Sequence, residues 1–466
     1  MNGETSGKRK QIAFIHPDLG IGGAERLVVD AAVGLQDLDH DITIYTSHCD
    51  KTHCFEEVSG GLLNVKVYGD FLPTNFLKRF HILFAFLRQL YLTFRLIVSG
   101  EINDYDYFIV DQLSYCIPLL SLFSKELTKV LFYCHFPDQL LVKQDGGKLK
   151  SLYRVPFDFI EEYTTGLSDR IVVNSKFTRS MFYKTFTRLS NIEPGIIYPC
   201  VDTKVMKDEQ TSQEVSNFFQ NSPYFLSINR FEKKKNIELA IKAFAIFKRL
   251  VPSNKIKPRL VIAGGYDARI TENVVYLSEL NQLCESLKLT SFTIRGKLIV
   301  MPPSTDVLFL PSIKSNLKVS LIQQAQMLLY TPSFEHFGIV PVEGMLYKVP
   351  VLGVNNGGPL ESILNYDNSN LEKATGYTEE PDYEKWAKIM IKFYTDTDDD
   401  TKKCLGENGY RRVLDKFSRE KMAQSFMENL EASASSTKKK LPALKYWKFE
   451  AVVIIFALFI YIYLGS

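Results

Sequence analysis

One pattern recurs along this chain and constrains its fold more than any other: a short apolar run, a glycine turn, then the start of a helix. Gln11–His16 leads through Pro17-Asp18-Leu19-Gly20-Ile21-Gly22-Gly23 into the amphipathic stretch Ala24–Leu35. Pro258–Ala263 ends in Gly264-Gly265, and Lys348–Val354 runs into Asn355-Asn356-Gly357-Gly358-Pro359. Runs that are apolar throughout suit strands covered on both faces, as in a parallel sheet flanked by helices. A glycine turn opening a helix can bring backbone N–H groups up to an anion. The alternative is a turn that needs glycine only for its backbone freedom. The Gly-x-Gly-x-x-Gly spacing of dinucleotide sites is absent. Further strands are expected at His40–Thr46, Asn64–Tyr68, Asp104–Asp111, Lys129–Cys134, Ile171–Lys176, Glu193–Asp202, Tyr224–Asn229 and Thr305–Pro311.

At 466 residues the chain outgrows a single hydrophobic core, so two α/β domains are expected. We place the first at 11–202, a polar linker at 203–223 and the second at 224–430. The helical stretch Asp382–Phe426 is expected to return and pack on the first domain.

Between strand-like Leu328–Phe334 and a following helix lie two carboxylates eight positions apart, Glu335 and Glu343, in Glu335-His336-Phe337-Gly338-Ile339-Val340-Pro341-Val342-Glu343. Gly338 and Pro341 disfavour a continuous helix, so Glu335 is expected in a loop and Glu343 in the first turn of the helix, near unpaired N–H groups. Paired glutamates at this spacing also occur on solvated helices. Arg230 follows an apolar strand, and Lys235 comes five residues later, just before a helix. A guanidinium fork and an ammonium together suit a diphosphate; a solvated basic turn is the plainer reading. His135, in Tyr133-Cys134-His135-Phe136-Pro137-Asp138, stands at a strand's carboxyl end, where doubly wound sheets bind ligands.

Composition adds exclusions. A net charge of +3 without a dense basic stripe gives no case for nucleic acid. Seven scattered cysteines fit a reducing compartment. The cluster His48-Cys49-Asp50-Lys51-Thr52-His53-Cys54 pairs adjacent ligands that wrap a tetrahedral ion poorly, so no metal is expected. Residues 1–10 form a polar, basic tail with no signal-peptide h-region after it, which points to a cytosolic body. Phe71–Val98 is strongly apolar yet carries Lys78, Arg79, His81, Arg88 and Arg95, as an interfacial membrane helix with snorkelling cations would. A core helix with exposed charges is the alternative. After a basic linker, 431–446, the segment 447–466 contains the apolar run Ala451–Leu464. Its 14 residues make roughly 21 Å of helix, short of a ~30 Å hydrocarbon core. The segment therefore either spans, by including Trp447–Glu450 or by thinning the bilayer, or inserts partway.

Together these motifs resemble the retaining, nucleotide-sugar-dependent glycosyltransferases built from two Rossmann-like domains facing a cleft (the GT-B type). The resemblance covers roughly residues 11–430. It rests on the Glu335/Glu343 pair, Arg230-x-x-x-x-Lys235, the Gly22-Gly23 loop, Gly264-Gly265 and Gly357-Gly358. Asn236 departs from the family's usual glycine after the lysine. Within that family, His16–Val28 and Cys134–Leu141 are similar to the dolichol-pathway α-1,3/1,6-mannosyltransferases. The resemblance implies GDP-mannose as donor, a mannosylated chitobiosyl diphosphate dolichol as acceptor, and no metal cofactor. It further implies the cytosolic face of the endoplasmic reticulum membrane and complexes with neighbouring pathway mannosyltransferases. By residue, it implies Arg230 and Lys235 on the diphosphate, Glu335 on the sugar and Glu343 on the ribose. His135 and His336 would position the reactants, and Gly22, Gly23, Gly264, Gly357 and Gly358 would line the donor site. A related enzyme with another lipid acceptor, or an inactive membrane scaffold, stand as alternatives.

Overall fold

The computed structural model describes residues 9–76, 80–141, 148–204, 208–252 and 256–434. The segment 447–466, nearly all of the polar tail and basic linker, and Lys78 and Arg79 lie outside the described residues.

The chain forms two compact units, one of residues up to Cys200 joined by those from Arg419, the other of Val201–Ser418. In the first, β1 (Gln11–Asp18), β2 (Asp41–His48), β3 (Asn64–Val67), β4 (Tyr107–Asp111), β5 (Lys129–Cys134), β6 (Arg170–Val173) and β7 (Gly195–Ile196) make one sheet in the order 3-2-1-4-5-6-7. Every pairing is parallel. The second unit holds β8 (Tyr224–Ile228), β9 (Arg259–Gly264), β10 (Ser291–Thr293), β11 (Val307–Pro311), β12 (Met327–Tyr330), β13 (Val351–Val354) and β14 (Gly376–Glu379), in the order 10-11-9-8-12-13-14, again all parallel. These are two Rossmann-like sheets, as the apolar runs predicted. The direction of winding reverses between β1 and β4 in one and between β8 and β12 in the other, which is where such sheets place ligands.

Boundaries differ from the sequence reading in two places. The stretch 203–223 is more than a linker: it contains the helix Glu209–Phe219, capped by Asp208 and burying Thr211, Val215 and Phe219 at intervals of four. Among the described residues three helices follow Asp382, and of these only the last, Arg419–Ala434, joins the first unit. It inserts Met422, Ala423, Phe426 and Leu430 into the core of β1, β2, β5 and the helix Gly23–Asp37. Phe426 stacks on Tyr133, with centroids 5.7 Å apart. Where the chain enters and leaves the second unit, Val201 and Ser418 pair side by side, and Val201 N–H donates to the Phe417 carbonyl at 2.9 Å.

The apolar stretch near residue 80 forms the helix His81–Ser99, among the described residues the one helix long and apolar enough to cross a membrane. One of its faces belongs to the protein core, through Leu83, Phe86, Leu92 and Leu96. Arg88 does not snorkel outward as expected: it is buried, 3.0 Å from Asp18, and donates to the Ser47 carbonyl. Phe94, Arg95 and Val98 form the exposed side.

The returning helix is fixed by charge as well as by packing. Buried Asp30 meets Arg419 at 3.1 Å and also binds Arg26, which reaches Glu57 at 2.9 Å. Breaking a buried pair strands a desolvated cation, although the partial exposure of Arg26 softens the effect. Asp30→Ala is therefore expected to lower stability by about 2 kcal/mol, read as a lower urea midpoint. An unchanged midpoint would show that packing alone docks the helix.

Candidate functional site

In the second unit the candidate residues cluster at the winding reversal. β8 ends at Ile228, and Asn229 N–H donates to the Ala263 carbonyl at 3.0 Å. Gly264, with φ of +143°, lies so close that a Cβ there would stand 2.1 Å from the Asn229 carbonyl oxygen. The missing side chain lets β9 press against the turn that delivers Arg230. The Arg230 guanidinium is largely exposed and sits 3.1 Å from Glu232. The single turn Lys233–Lys235 follows, and Asn236 takes a left-handed φ of 48°. Asparagine tolerates that conformation better than most residues, so the turn survives the family's missing glycine. Thr331 holds the Lys235 carbonyl at 2.7 Å.

β12, the neighbour of β8, leads into a loop carrying Glu335 and His336. Lys235 Nζ donates to Glu335 Oε1 at 2.5 Å, with the two side chains 12% and 26% exposed. The loop is locked from the far side. Asn356 accepts from Phe334 N–H at 2.6 Å, and Gly358 N–H donates to the Glu335 carbonyl at 2.8 Å. A Cβ on Gly357 would come 2.7 Å from that same carbonyl oxygen. Gly358 N–H is thus engaged by the Glu335 loop. The helix behind it, Pro359–Ser362, is a single turn.

Glu343 is one turn deeper than expected. The helix Ile339–Leu346 begins directly after Gly338, placing Pro341 inside the first turn and Glu343 beyond it. Lys318 donates to Glu343 Oε1 at 2.6 Å, while Oε2 is buried without a protein partner among the described residues. Burial, then the charges of Glu335 and Glu343, push the Tyr330 phenol well up, so it stays protonated near both carboxylates. Neither Lys318 nor Tyr330 carried a sequence signal beyond lying in a helix and a strand.

In the first unit, Gly22 caps and Gly23 opens the helix Gly23–Asp37 that follows β1. His135 follows β5 and is 18% exposed, with its ring 4.8 Å from that of Tyr133. Asp111, at the end of β4, lies between it and His16 of β1. His16 Nδ1 is 2.7 Å from Asp111 Oδ2, and His135 Nε2 is 2.6 Å from Oδ1. Burial would raise the Asp111 carboxyl, but the two imidazoles outweigh it and hold it at about 2. His16 is raised despite its burial, through its bond to Asp111. The sequence reading passed over Asp111; its signal was an acidic residue closing an apolar strand beside the winding reversal. The loop bearing His135 continues to Asp138, whose N–H donates to buried Glu161 at 2.8 Å. Among the described residues no group of three His, Cys, Asp or Glu could hold a metal ion. His48 is paired with Asp70.

The family model described as Glycosyltransferase Family 4 matches residues 21–205, and that described as Glycosyl transferases group 1 matches 208–412. The Alpha-1,3/1,6-mannosyltransferase ALG2 of Debaryomyces hansenii is 61% identical over 99% of each chain. The chain belongs to the α-1,3/1,6-mannosyltransferase family. The ALG2 enzyme of Candida albicans is 63% identical over 90% of this chain and 98% of its own. Among solved structures, sucrose-phosphate synthase from Thermosynechococcus elongatus superposes with a TM-score of 0.67 over 92% of this chain and all of its own, at 17% identity. At that identity the likeness is one of fold: the two-domain glycosyltransferase architecture that the motifs implied.

One titration marks the His135 loop of this family member. Burial lifts the Glu161 carboxyl to about 8, against 4.5 for an ordinary glutamate. Between those values the folded state holds a proton that the unfolded chain releases, so stability falls as pH rises from about 4.5 to about 8. Glu161→Gln removes the ionisation and keeps an acceptor for Asp138. Its urea midpoint is expected to gain on the native protein's from pH 5 to pH 8; a constant gap would refute the assignment.

Proposed function

We propose that this chain transfers mannose from GDP-mannose to Man1GlcNAc2-diphosphate-dolichol and then to Man2GlcNAc2-diphosphate-dolichol. It would make one α-1,3 and one α-1,6 linkage in the lipid-linked oligosaccharide used for N-glycosylation. The names of its relatives support the linkages. The observation that carries the chemistry is the Lys235–Glu335 pair at the β8–β12 reversal, with Arg230 and Glu343 in the same unit.

A nucleoside diphosphate needs its growing negative charge met as the sugar–phosphate bond breaks. Arg230, exposed at the end of its turn, can fork onto phosphate oxygens. Lys235 supplies a point charge already held in place by Glu335. A diphosphate that shares this ammonium loosens its hold on Glu335, whose oxygens then accept from the hydroxyls of the sugar. Glu343, steadied by Lys318 at one oxygen, offers the other to a ribose hydroxyl. Two resident cations replace the work of a metal, so the reaction is expected to proceed without one. His336 and His135 are assigned to positioning donor and acceptor. With no carboxylate assigned as nucleophile, retention follows from attack on the same face as departure, the leaving phosphate taking the acceptor's proton.

For the lipid acceptor, the exposed Phe94–Val98 side of the helix His81–Ser99 suits contact with a bilayer, and the apolar run Ala451–Leu464 suits an anchor. We place the body of the enzyme on the cytosolic face of the endoplasmic reticulum.

The test uses full-length protein in detergent, GDP-mannose, and synthetic lipid diphosphates bearing chitobiose with one mannose, with products read by mass. Two added mannoses with chelator present are the expected result. Chelator-abolished transfer would end the metal-free reading, and transfer only from another donor would end the assignment of GDP-mannose. Glu335→Ala should lower turnover by about 10²- to 10³-fold with an unchanged melting profile; near-native turnover would sink the proposed role of Glu335.

A further inference from the structure

The cluster on β1, β4 and β5 does more than hold the first sheet together. Three polar groups meet there. The Asp111 and His16 side chains are each 1% exposed, and only His135 reaches the surface. Placing a carboxylate and an imidazole in a closed core is unfavourable compared with apolar packing, and paired buried charges are poor evidence of a stabilising role. His16 Nε2 is also buried without a partner among the described residues, an unfavourable arrangement that core packing alone gives no reason to keep. Each neighbouring strand contributes one member, at the point where the winding reverses.

From this geometry we infer that Asp111 is a positioning residue for mannosyl transfer: it holds the His135 imidazole by its Nε2 edge, and His16 in turn holds Asp111. Nε2 of His135 is buried against Asp111 Oδ1, so the exposed part of the ring is elsewhere on it. Asn174 fixes the backbone of the same residue, donating to the His135 carbonyl at 3.0 Å, while the Tyr133 ring lies against the imidazole. His16 Nδ1 engages the other carboxylate oxygen, so the carboxylate cannot rotate away without breaking that bond. Just beyond Asp111 the chain turns through Gln112 in a left-handed conformation, φ 61°, a strained geometry of the kind concentrated at functional sites. Gln89 secures the next residue, donating to the Leu113 carbonyl at 2.7 Å. A ring held from three directions offers one orientation to a substrate, and misplacement by an ångström can slow a reaction 10²-fold. The inference rests on the reading of His135 as a reaction residue.

The experiment is a mutant cycle on full-length protein in detergent, with GDP-mannose and the chitobiosyl lipid acceptor, comparing the native chain, Asp111→Asn, His135→Ala and the double variant. Asp111→Asn keeps the shape and removes the charge. The expected result is a kcat lowered about 10- to 100-fold, KM for GDP-mannose within about twofold of native, and no further loss when the change is made in His135→Ala. An equal loss in both backgrounds would show that Asp111 supports only the fold and overturn the inference, as would native turnover in Asp111→Asn. Native turnover in His135→Ala would remove the reading of His135 itself, and this inference with it. If Asp111→Asn does not fold, His16→Asn and His16→Leu read the same contact from its other side. Asn keeps a donor near the Nδ1 position and Leu does not, so activity retained only in the first supports the clamp. Equal activity in the two overturns it.

Discussion

A parallel sheet has no side that can face water cheaply: its strands are apolar on both faces, and both must be covered. That demand organises this protein. Each sheet takes most of its cover from the helices that connect its own strands. Each also draws on helices that follow its last strand: in the first, one region of the surface, against β1, β5 and the helix Gly23–Asp37, is closed by Arg419–Ala434. The chain therefore passes into the second unit at Val201 and back out at Ser418, two segments that pair directly. Asp30 binding Arg419 and Phe426 stacking on Tyr133 are the charge and packing terms of one docking event.

The same architecture explains where the chemistry sits. At a winding reversal the connections from adjacent strands leave in opposite directions and leave room between them. Both units use that room: His16 and Asp111 at β1 and β4 in one, and Arg230, Lys235 and Glu335 after β8 and β12 in the other. In each case a charged group is fixed by a neighbour across the reversal, Asp111 by His16 and Glu335 by Lys235. The glycines around the second site serve this fixing. Gly264 and Gly357 let backbone approach backbone where a side chain would collide.

Much of this was legible in the sequence, because strands buried on both faces read as unbroken apolar runs and the charged residues that follow them stand out. What escaped notice did so for identifiable reasons. The helix Glu209–Phe219 buries only every fourth residue in an otherwise polar stretch, so its composition resembles a linker. Glu343 was expected in the first turn because Pro341 was read against helix before it; proline is tolerated anywhere in the first turn, where its missing N–H has no partner to lose, and the helix opens at Ile339. Arg88 was read as a surface cation because a buried arginine has no sequence mark; its acceptors, Asp18 and the Ser47 carbonyl, come from distant strand ends. Asp111 looked like the polar end of a strand, and only the juxtaposition of three strands shows what it touches.

The returning helix also has a consequence for biosynthesis. The first unit is encoded for the most part up to residue 200, yet its core lacks Met422, Ala423, Phe426 and Leu430 until more than two hundred further residues have been made. At roughly 5–20 residues per second that is a delay on the order of ten seconds or longer. Throughout that interval the helix Gly23–Asp37 and the edge of Tyr133 are without their apolar cover. The amino-terminal half thus leaves the ribosome first but closes last, its completion waiting on the far end of the chain.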